Sequence, residues 1–140
     1  MVLAARDGAV LPVARPGQHV VLRATISGQA VLRPYTLSGA SGGPWEVTVK
    51  HLPGGALSEW LVRWAEEGTH LEASPPRGDV FWDGGPAPVV CFAAGIGITP
   101  GLAMLRTLLA EGWPHRLVLH LSVRTRRELA LLGELSLIHI

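Results

Sequence analysis

The chain has almost none of the residues that hold small proteins together covalently or through metals. Cys91 is its only cysteine, so neither a disulfide framework nor a cysteine metal site can form. Its histidines are scattered, and none is paired with another histidine or an acidic residue at the spacing of metal ligands. We therefore expect no metal site, and we interpret Cys91 as a small core residue rather than a nucleophile.

Charged side chains are also scarce, and the two signs balance. They make up 16% of the residues, and 12 basic side chains against 11 acidic ones leave a net charge of +1. This balance argues against a dedicated nucleic-acid surface. No apolar run reaches the ~18 residues of a membrane helix, and no signal peptide is visible. A globular, cytoplasmic protein without a membrane segment is therefore expected.

Apolar side chains, glycine and proline are abundant. Hydrophobic residues make up 48% of the chain, and its 17 glycines and 11 prolines imply many turns between short strands. Residues 83–88 have the composition of a linker. We predict a domain boundary there, with one small domain at 1–84 and a second at 85–134.

Strand patterns dominate the first predicted domain. Pro34 cannot donate a ladder hydrogen bond, so the strand that contains it is expected to be interrupted or to lie at a sheet edge. The pattern predicts the end of a strand at 10–13 and further strands at 19–25, 31–38, 45–51, 70–73 and 79–82.

One helix interrupts these strands. It is predicted over residues 56–65, with Gly68 ending it and with an apolar stripe formed by Leu57, Trp60, Leu61 and Trp64. Short strands with one inserted helix favour a small antiparallel β-barrel. Little chain precedes Pro16 to supply the opening strand of such a barrel.

The second predicted domain begins with a strand, a glycine turn and a helix. The apolar run at 89–94 predicts a buried strand, and residues 101–109 have helical spacing. Thr99 stands at the N-cap position and Pro100 at the first helical position. Gly95 and Gly97 allow a ligand to approach the backbone, and a helix start favours an anion. We interpret that anion as a dinucleotide pyrophosphate.

A second apolar strand at 116–122 follows this helix, and its unbroken pattern is typical of buried parallel strands. Ser122 and Arg124 stand at its end, where open parallel sheets bind ligands. Another helix is predicted from residue 126. Two strands are fewer than the roughly five of a complete nucleotide-binding sheet, so an incomplete domain is expected. Residues 135–140 look foreign, and we expect a non-native tail there on a truncated chain.

Four motifs in a fixed order carry a family resemblance. They are RPYT at 33–36, GGALS at 54–58, PPRGD at 75–79 and GIGITP at 95–100. With these motifs the sequence resembles the ferredoxin–NADP reductase superfamily, and in particular the flavin/NAD(P)H reductase modules of bacterial oxygenases and flavohaemoglobins. The fold that this implies is an antiparallel FAD-binding β-barrel followed by a parallel-sheet pyridine-nucleotide-binding domain.

The resemblance implies FAD as the cofactor and NADH or NADPH as the electron donor. It assigns Arg33 to a flavin phosphate and Tyr35 and Thr36 to the surroundings of flavin N5, with no residue acting as an acid or base. The remaining FAD contacts are expected from Lys50, Gly55, Ala56, Leu57 and Ser58. The NAD(P) contacts are expected from Gly95, Gly97, Thr99, Pro100, Ser122 and Arg124.

The implied function is that of a reductase component, which passes a hydride from NAD(P)H to FAD and then single electrons to a redox partner. That partner is expected to be a haem, iron–sulfur or oxygenase protein or domain. A non-catalytic FAD-binding electron-transfer subunit and an inactive fragment are the alternatives. Taken singly, Arg33 and Tyr35 also suit ordinary strand positions, and the choice between NADH and NADPH stays open.

Overall fold

The computed structural model describes residues 1–83, 85–112 and 117–125 of the chain. The antiparallel first part contains β1 (Val2–Leu3), β2 (His19–Ile26), β3 (Gln29–Thr36), β4 (Trp45–Glu46), α1 (Ala56–Arg63) and β5 (Glu72–Ala73). The second part contains β6 (Val89–Ala94), a 3₁₀ turn (Gly95–Ile98), α2 (Thr99–Ala110) and β7 (Leu117–Ser122).

The β2–β3 hairpin is the longest paired element of the first part. Its register runs without interruption from His19 opposite Thr36 to Ile26 opposite Gln29. Ser27 and Gly28 form the turn with φ values of 49° and 79°. Two successive left-handed residues give a turn whose twist matches that of the paired strands. The two predicted strands and the turn between them are confirmed.

Sheet order explains why Pro34 is tolerated in β3. The three-stranded sheet has the order β3-β2-β5, so β3 has a strand neighbour on one side only within the described residues. A proline removes no ladder hydrogen bond when its missing N–H would face away from the neighbouring strand. The predicted edge position is therefore confirmed.

Four strand predictions in this part are wrong in extent or in kind. The strand predicted at 70–73 is limited to the two residues of β5. The strand predicted at 45–51 is limited to β4, which pairs with β1 and is followed by a single bridge between Leu37 and Val47. Residues 10–13 and 79–82 form no strand. They are held instead by isolated bonds, from Trp45 Nε1 to the Pro12 carbonyl at 2.9 Å and from the Trp82 N–H to the Pro16 carbonyl at 3.1 Å. An alternating sequence forms a strand only where a neighbouring segment provides the hydrogen-bond partners.

The core of the first part lies between the β2–β3 hairpin and α1. Val20, Leu22 and Leu57 are completely buried there. Leu61 is also buried, but Trp64 is 70% exposed, so the predicted apolar stripe is wrong at its last member. The physical reason is that α1 ends at Arg63, before Gly68, and the backbone of Trp64 no longer has helical angles.

The second part is a strand–helix–strand unit. β6 and β7 pair in parallel, from Val89 opposite Leu117 to Ala94 opposite Ser122, as the sequence predicts. Cys91 faces α2, with its Sγ 3.8 Å from Met104 Sδ. On the opposite face Phe92 is 80% exposed and stacks on His120 with ring centroids 4.9 Å apart.

Neither helix in the described part of the chain is long and apolar enough to cross a membrane. Arg116, the helix predicted from residue 126 and the tail predicted at 135–140 lie outside the described residues. In the antiparallel part, the described strands form one two-stranded and one three-stranded sheet rather than a continuous closed ladder.

The turn at Pro16 and Gly17 brings distant backbone segments into close contact. Both residues are buried, and Gly17 has a left-handed φ of 104°. A Cβ at this position would overlap the carbonyl oxygen of Val80 and lie 3.3 Å from the Met104 side chain. Only glycine satisfies both the backbone angle and the space at this position.

Replacing Gly17 by alanine should therefore lower the free energy of unfolding by about 2 kcal/mol or more, because the methyl group strains the backbone and displaces Val80. Urea unfolding followed by tryptophan fluorescence measures this loss. Gly97→Ala is the matched control, because a Cβ at Gly97 meets no atom within 4 Å. We expect its effect to stay within about 0.5 kcal/mol. Equal losses in the two variants would contradict the account of Gly17.

Candidate cofactor and nucleotide site

Strand β3 presents a cation and an aromatic ring on one face. Arg33 and Tyr35 are two residues apart and therefore project to the same side of the strand. They lie opposite Leu22 and Val20 of β2, so this is the face that borders the core. Tyr35 is half-buried against the core, while Arg33 is exposed and donates from Nη1 to the Leu32 carbonyl at 2.7 Å. Strand alternation sends the Thr36 side chain to the other face.

Burial changes the acidity of Tyr35. Desolvation raises the pKa of its phenol above the ordinary value of 10.0, and the nearby Arg33 charge lowers it by a smaller amount. The phenol is consequently neutral throughout the physiological range. It can donate a hydrogen bond and present a flat ring without adding a negative charge to the site.

The start of α1 offers main-chain donors next to this strand. Gly55 is the N-cap and makes no side-chain cap, and the preceding Gly54 has a φ of 74° with open space where a Cβ would be. The first N–H groups of a helix have no partner within the helix and favour an anion. Leu57 is completely buried, so the surface that this turn presents to a ligand is formed by its neighbours. The Ser58 hydroxyl lies over Gly55, 2.5 Å from an added Cβ.

Glu59 is a neighbour of this turn that the sequence analysis missed. Its Oε2 accepts the Gly54 N–H at 2.8 Å, while its Oε1 lies 3.3 Å from Arg63 Nε. A carboxylate thus occupies one donor of the glycine turn. The acidic residue directly after Ser58 was the available signal, because acidic side chains in a first helical turn commonly reach back to main-chain donors.

The packing of α1 brings the two predicted FAD motifs to the same part of the molecule. The helix packs against both β2 and β3. Tyr35 and Trp60 border the same buried cluster that contains Leu57. Of the other predicted contacts, Ala56 is exposed at the start of α1, and Lys50 is exposed in the segment between β4 and α1.

The glycine turn of the second part has a different helix start from the one predicted. Gly95 has a φ of 51°, and the chain then forms a 3₁₀ turn that runs directly into α2. Thr99 is therefore inside the helix, not its N-cap, and Pro100 is its second residue, not its first. The Thr99 hydroxyl is buried and donates to the Ile96 carbonyl at 3.1 Å, so it stabilises the turn itself.

Glycines at this turn serve two purposes. A Cβ at Gly95 or Gly97 would meet no atom within 4 Å, which leaves room for a ligand beside the backbone. A Cβ at Gly101 would lie 2.7 Å from Leu119 Cδ2 and 3.4 Å from Cys91 Cβ. Gly101 thus allows α2 to pack closely on the sheet, which is the task of the third glycine in dinucleotide-binding turns. The sequence analysis did not assign this role to Gly101.

The pairing of β6 with β7 places the end of β7 beside the turn that begins at Gly95. Ser122 lies opposite Ala94, the last residue before Gly95. Ser122 and Arg124 are both exposed at this carboxyl edge of the sheet. The predicted nucleotide contacts at Gly95, Gly97, Ser122 and Arg124 therefore belong to one edge, as expected for a ligand site in an open parallel sheet.

Residues 10–82 match the family described as the oxidoreductase FAD-binding domain. The chain belongs to the oxidoreductase FAD-binding domain family. FAD is thus the cofactor of the fold. The predicted fold class is confirmed as well, with an antiparallel part followed by a parallel one. The family match covers the RPYT, GGALS and PPRGD motifs, while GIGITP lies beyond it.

This FAD-binding chain is similar to flavohemoproteins and to monooxygenase reductase subunits. It is 41% identical over 113 residues to a flavohemoprotein of Pseudomonas aeruginosa, covering 80% of this chain and 29% of that protein. It is 36% identical over 133 residues to the glycine betaine monooxygenase reductase subunit of Chromohalobacter salexigens, covering 93% of this chain and 36% of that protein. The chain thus spans about a third of the length of these relatives.

Similar solved structures support the resemblance of the chain to the ferredoxin–NADP reductase superfamily. The FAD/NAD binding domain of a nitric oxide dioxygenase from Vibrio cholerae superposes with a TM-score of 0.88 at 28% identity, covering 97% of this chain and 60% of that one. Phthalate dioxygenase reductase superposes with a TM-score of 0.78 at 30% identity, covering 95% of this chain and 41% of that one.

Titration of Tyr35 tests the environment assigned to it. The folded chain should ionise this phenol above pH 10.0, since burial favours the neutral form. The unfolded chain releases the proton first, so the free energy of unfolding should fall as the pH rises from about 10 towards the folded pKa. Tyrosinate absorbance reports on Tyr35 directly because the chain has no other tyrosine. In Tyr35→Phe this dependence should be absent. A midpoint at or below 10.0 in the folded chain would contradict the prediction.

Proposed function

We propose that this chain is the flavin- and nucleotide-binding part of an NAD(P)H-dependent flavoprotein reductase. The observation that carries the proposal is the presence of two glycine turns on one chain, each of which leads into a helix. One precedes α1 beside the Arg33 and Tyr35 face, and the other follows β6 at the carboxyl edge of a parallel sheet. A dinucleotide cofactor and a dinucleotide substrate each present a pyrophosphate, which suits such turns.

The residues of the first part fit FAD. Arg33 is exposed and has a planar fork suited to a phosphate. The N–H groups of Gly54 and Gly55 are bound to Glu59 and Leu52, so the main-chain donors left for an anion are those of the first turn of α1, after Gly55. Tyr35 presents its ring on the same strand face as Arg33. We assign further contacts to Thr36, Lys50, Ala56, Leu57 and Ser58, with the domain spanning residues 1–84.

The residues of the second part fit a reduced nicotinamide nucleotide. Gly95 and Gly97 leave space at the backbone, Thr99 holds the turn in shape, and Pro100 fixes the first turn of α2. Ser122 and Arg124 would contact the ribose side of the nucleotide. We assign this domain to residues 85–134.

Bound by these residues, FAD would supply the redox chemistry that links a hydride donor to a one-electron acceptor. The chain itself contributes binding and orientation. The neutral phenol of Tyr35 supplies a ring face and a donor without opposing negative charge, and Arg33 balances phosphate charge. No side chain of the described site is required to act as a general acid or base.

We propose a haem, iron–sulfur or oxygenase protein or domain as the electron acceptor. The support comes from the relatives, which include flavohemoproteins, a monooxygenase reductase subunit and a reductase whose electrons pass to [2Fe–2S]. We also propose a cytoplasmic location, where reduced nicotinamide nucleotides are the available electron donors.

Reconstitution with FAD followed by addition of NADH or NADPH tests this function. A protein-bound flavin spectrum that bleaches with either nucleotide is the expected result, and the faster nucleotide identifies the donor. Bound flavin that neither nucleotide bleaches would replace the proposal with a non-catalytic electron-transfer subunit. Failure to bind FAD would refute the proposal altogether.

Substituting Arg33 by alanine should raise the Kd for FAD about tenfold or more, since hydrogen bonds to a charged group contribute about 1.5–3 kcal/mol. Flavin fluorescence quenching measures this change. Arg23→Ala is the matched control, because Arg23 is a half-exposed arginine on the adjacent strand that pairs with Glu72. We expect the control to bind FAD normally. Undiminished affinity in Arg33→Ala would remove Arg33 from the site.

A further inference from the structure

Hydrogen bonds join helix α2 to the chain segment that follows β3. Arg106 Nη1 donates to the Ser38 carbonyl at 2.8 Å and lies 3.1 Å from Glu46 Oε2. The next residue of the helix, Thr107, accepts the Ser41 N–H on its Oγ1 at 2.9 Å. Two adjacent side chains of one helix therefore bind three residues of the 38–46 segment.

These contacts are shielded from water. Ser38 and Thr107 are only 1% and 2% exposed, and the Arg106 and Glu46 side chains are 23% and 35% exposed. Hydrogen bonds of a charged donor are stronger than those between neutral groups, and shielding strengthens them further. The contact is thus unlike a surface ion pair, which contributes little.

Both sides of the contact are rigid. The Ser38 N–H donates to the Glu46 carbonyl at 2.7 Å, and the Ser38 hydroxyl lies 2.9 Å from Thr48 Oγ1. On the helix, the Thr107 hydroxyl donates to the Ala103 carbonyl at 2.7 Å. A network whose members are satisfied on both sides favours a single arrangement.

The contact lies close in sequence to both halves of the site. Ser38 follows Thr36, the last residue of β3, by two positions. Arg106 lies about two helical turns beyond Thr99 on the helix that carries the nucleotide turn. A displacement of Arg106 relative to Ser38 would therefore move the nucleotide turn relative to the flavin strand.

We propose that Arg106 is a positioning residue that fixes the nucleotide turn at 95–100 relative to β3, at the separation that hydride transfer requires. The inference rests on the proposed function. Arg106 is suited to this role because its Nη1 donates to acceptors on two separate residues, Ser38 and Glu46. Misplacement of reacting groups by 1 Å can slow a reaction about 100-fold.

Amide hydrogen exchange tests the contact without any cofactor. In Arg106→Met the Ser41 N–H should exchange at least tenfold faster, because its bond to Thr107 depends on the docked helix. The amides of the β2–β3 ladder should keep their protection, which shows that the variant is folded. Arg106→Lys and Glu46→Gln should give smaller increases in the exchange rate of the Ser41 amide. These two variants carry the test if the methionine variant does not fold. Arg23→Met is the control for loss of an arginine, and we expect no change at Ser41.

Flavin reduction by NADH or NADPH, followed by stopped flow, tests the functional role. Arg106→Met should bind FAD within about threefold of the original affinity but reduce it at least tenfold more slowly, with the loss in the maximal rate rather than in the nucleotide concentration at half-saturation. Equal reduction rates, or unchanged Ser41 exchange, would overturn the positioning role alone. Failure of the unsubstituted chain to bind or reduce FAD would instead overturn the proposed function, on which the positioning role rests.

Discussion

Burial of Leu57 in one cluster with Leu22 and Val20 is the contact on which the first part of the molecule depends. It fixes α1 against the β2–β3 hairpin, so the N-terminus of the helix and the core-bordering face of β3 cannot move independently. The anion-binding turn before α1 and the Arg33–Tyr35 pair owe their common location to this apolar contact.

In the second part, the close approach of the α2 backbone to the β6–β7 sheet has the same importance. Gly101 allows α2 to lie against Leu119 and Cys91, and this packing sets the direction in which the helix leaves the glycine turn. Cys91 is only partly buried at this contact rather than a core residue, and this burial raises the pKa of its thiol. The helix that presents the nucleotide turn is thus held on one side by the sheet and on the other by Ser38 and Ser41.

Local sequence signals predicted the elements that are stabilised locally. The β2–β3 hairpin, α1, β6 and β7 were found because periodicity and turn residues specify them within a few positions. The predictions failed where tertiary contacts decide. The strand expected at 45–51 has a ladder partner only at its start, and Trp64 leaves the helix before it can join the core. Thr99 was misplaced because a glycine turn can become helical before the expected cap. Arg106 could not be found from the sequence, since its acceptors lie more than 50 residues away.

The two pairs of strands differ in the length of chain that separates their members, and this difference affects how the protein folds. β2 and β3 are joined by a two-residue turn, whereas β6 and β7 can pair only after the chain has passed through α2. Pairings between segments close in sequence form faster than those that enclose a longer loop. The hairpin and α1 are also synthesised before β6, and N-terminal units generally fold first. The flavin half is therefore expected to form first during translation and to serve as the template on which the nucleotide half is completed.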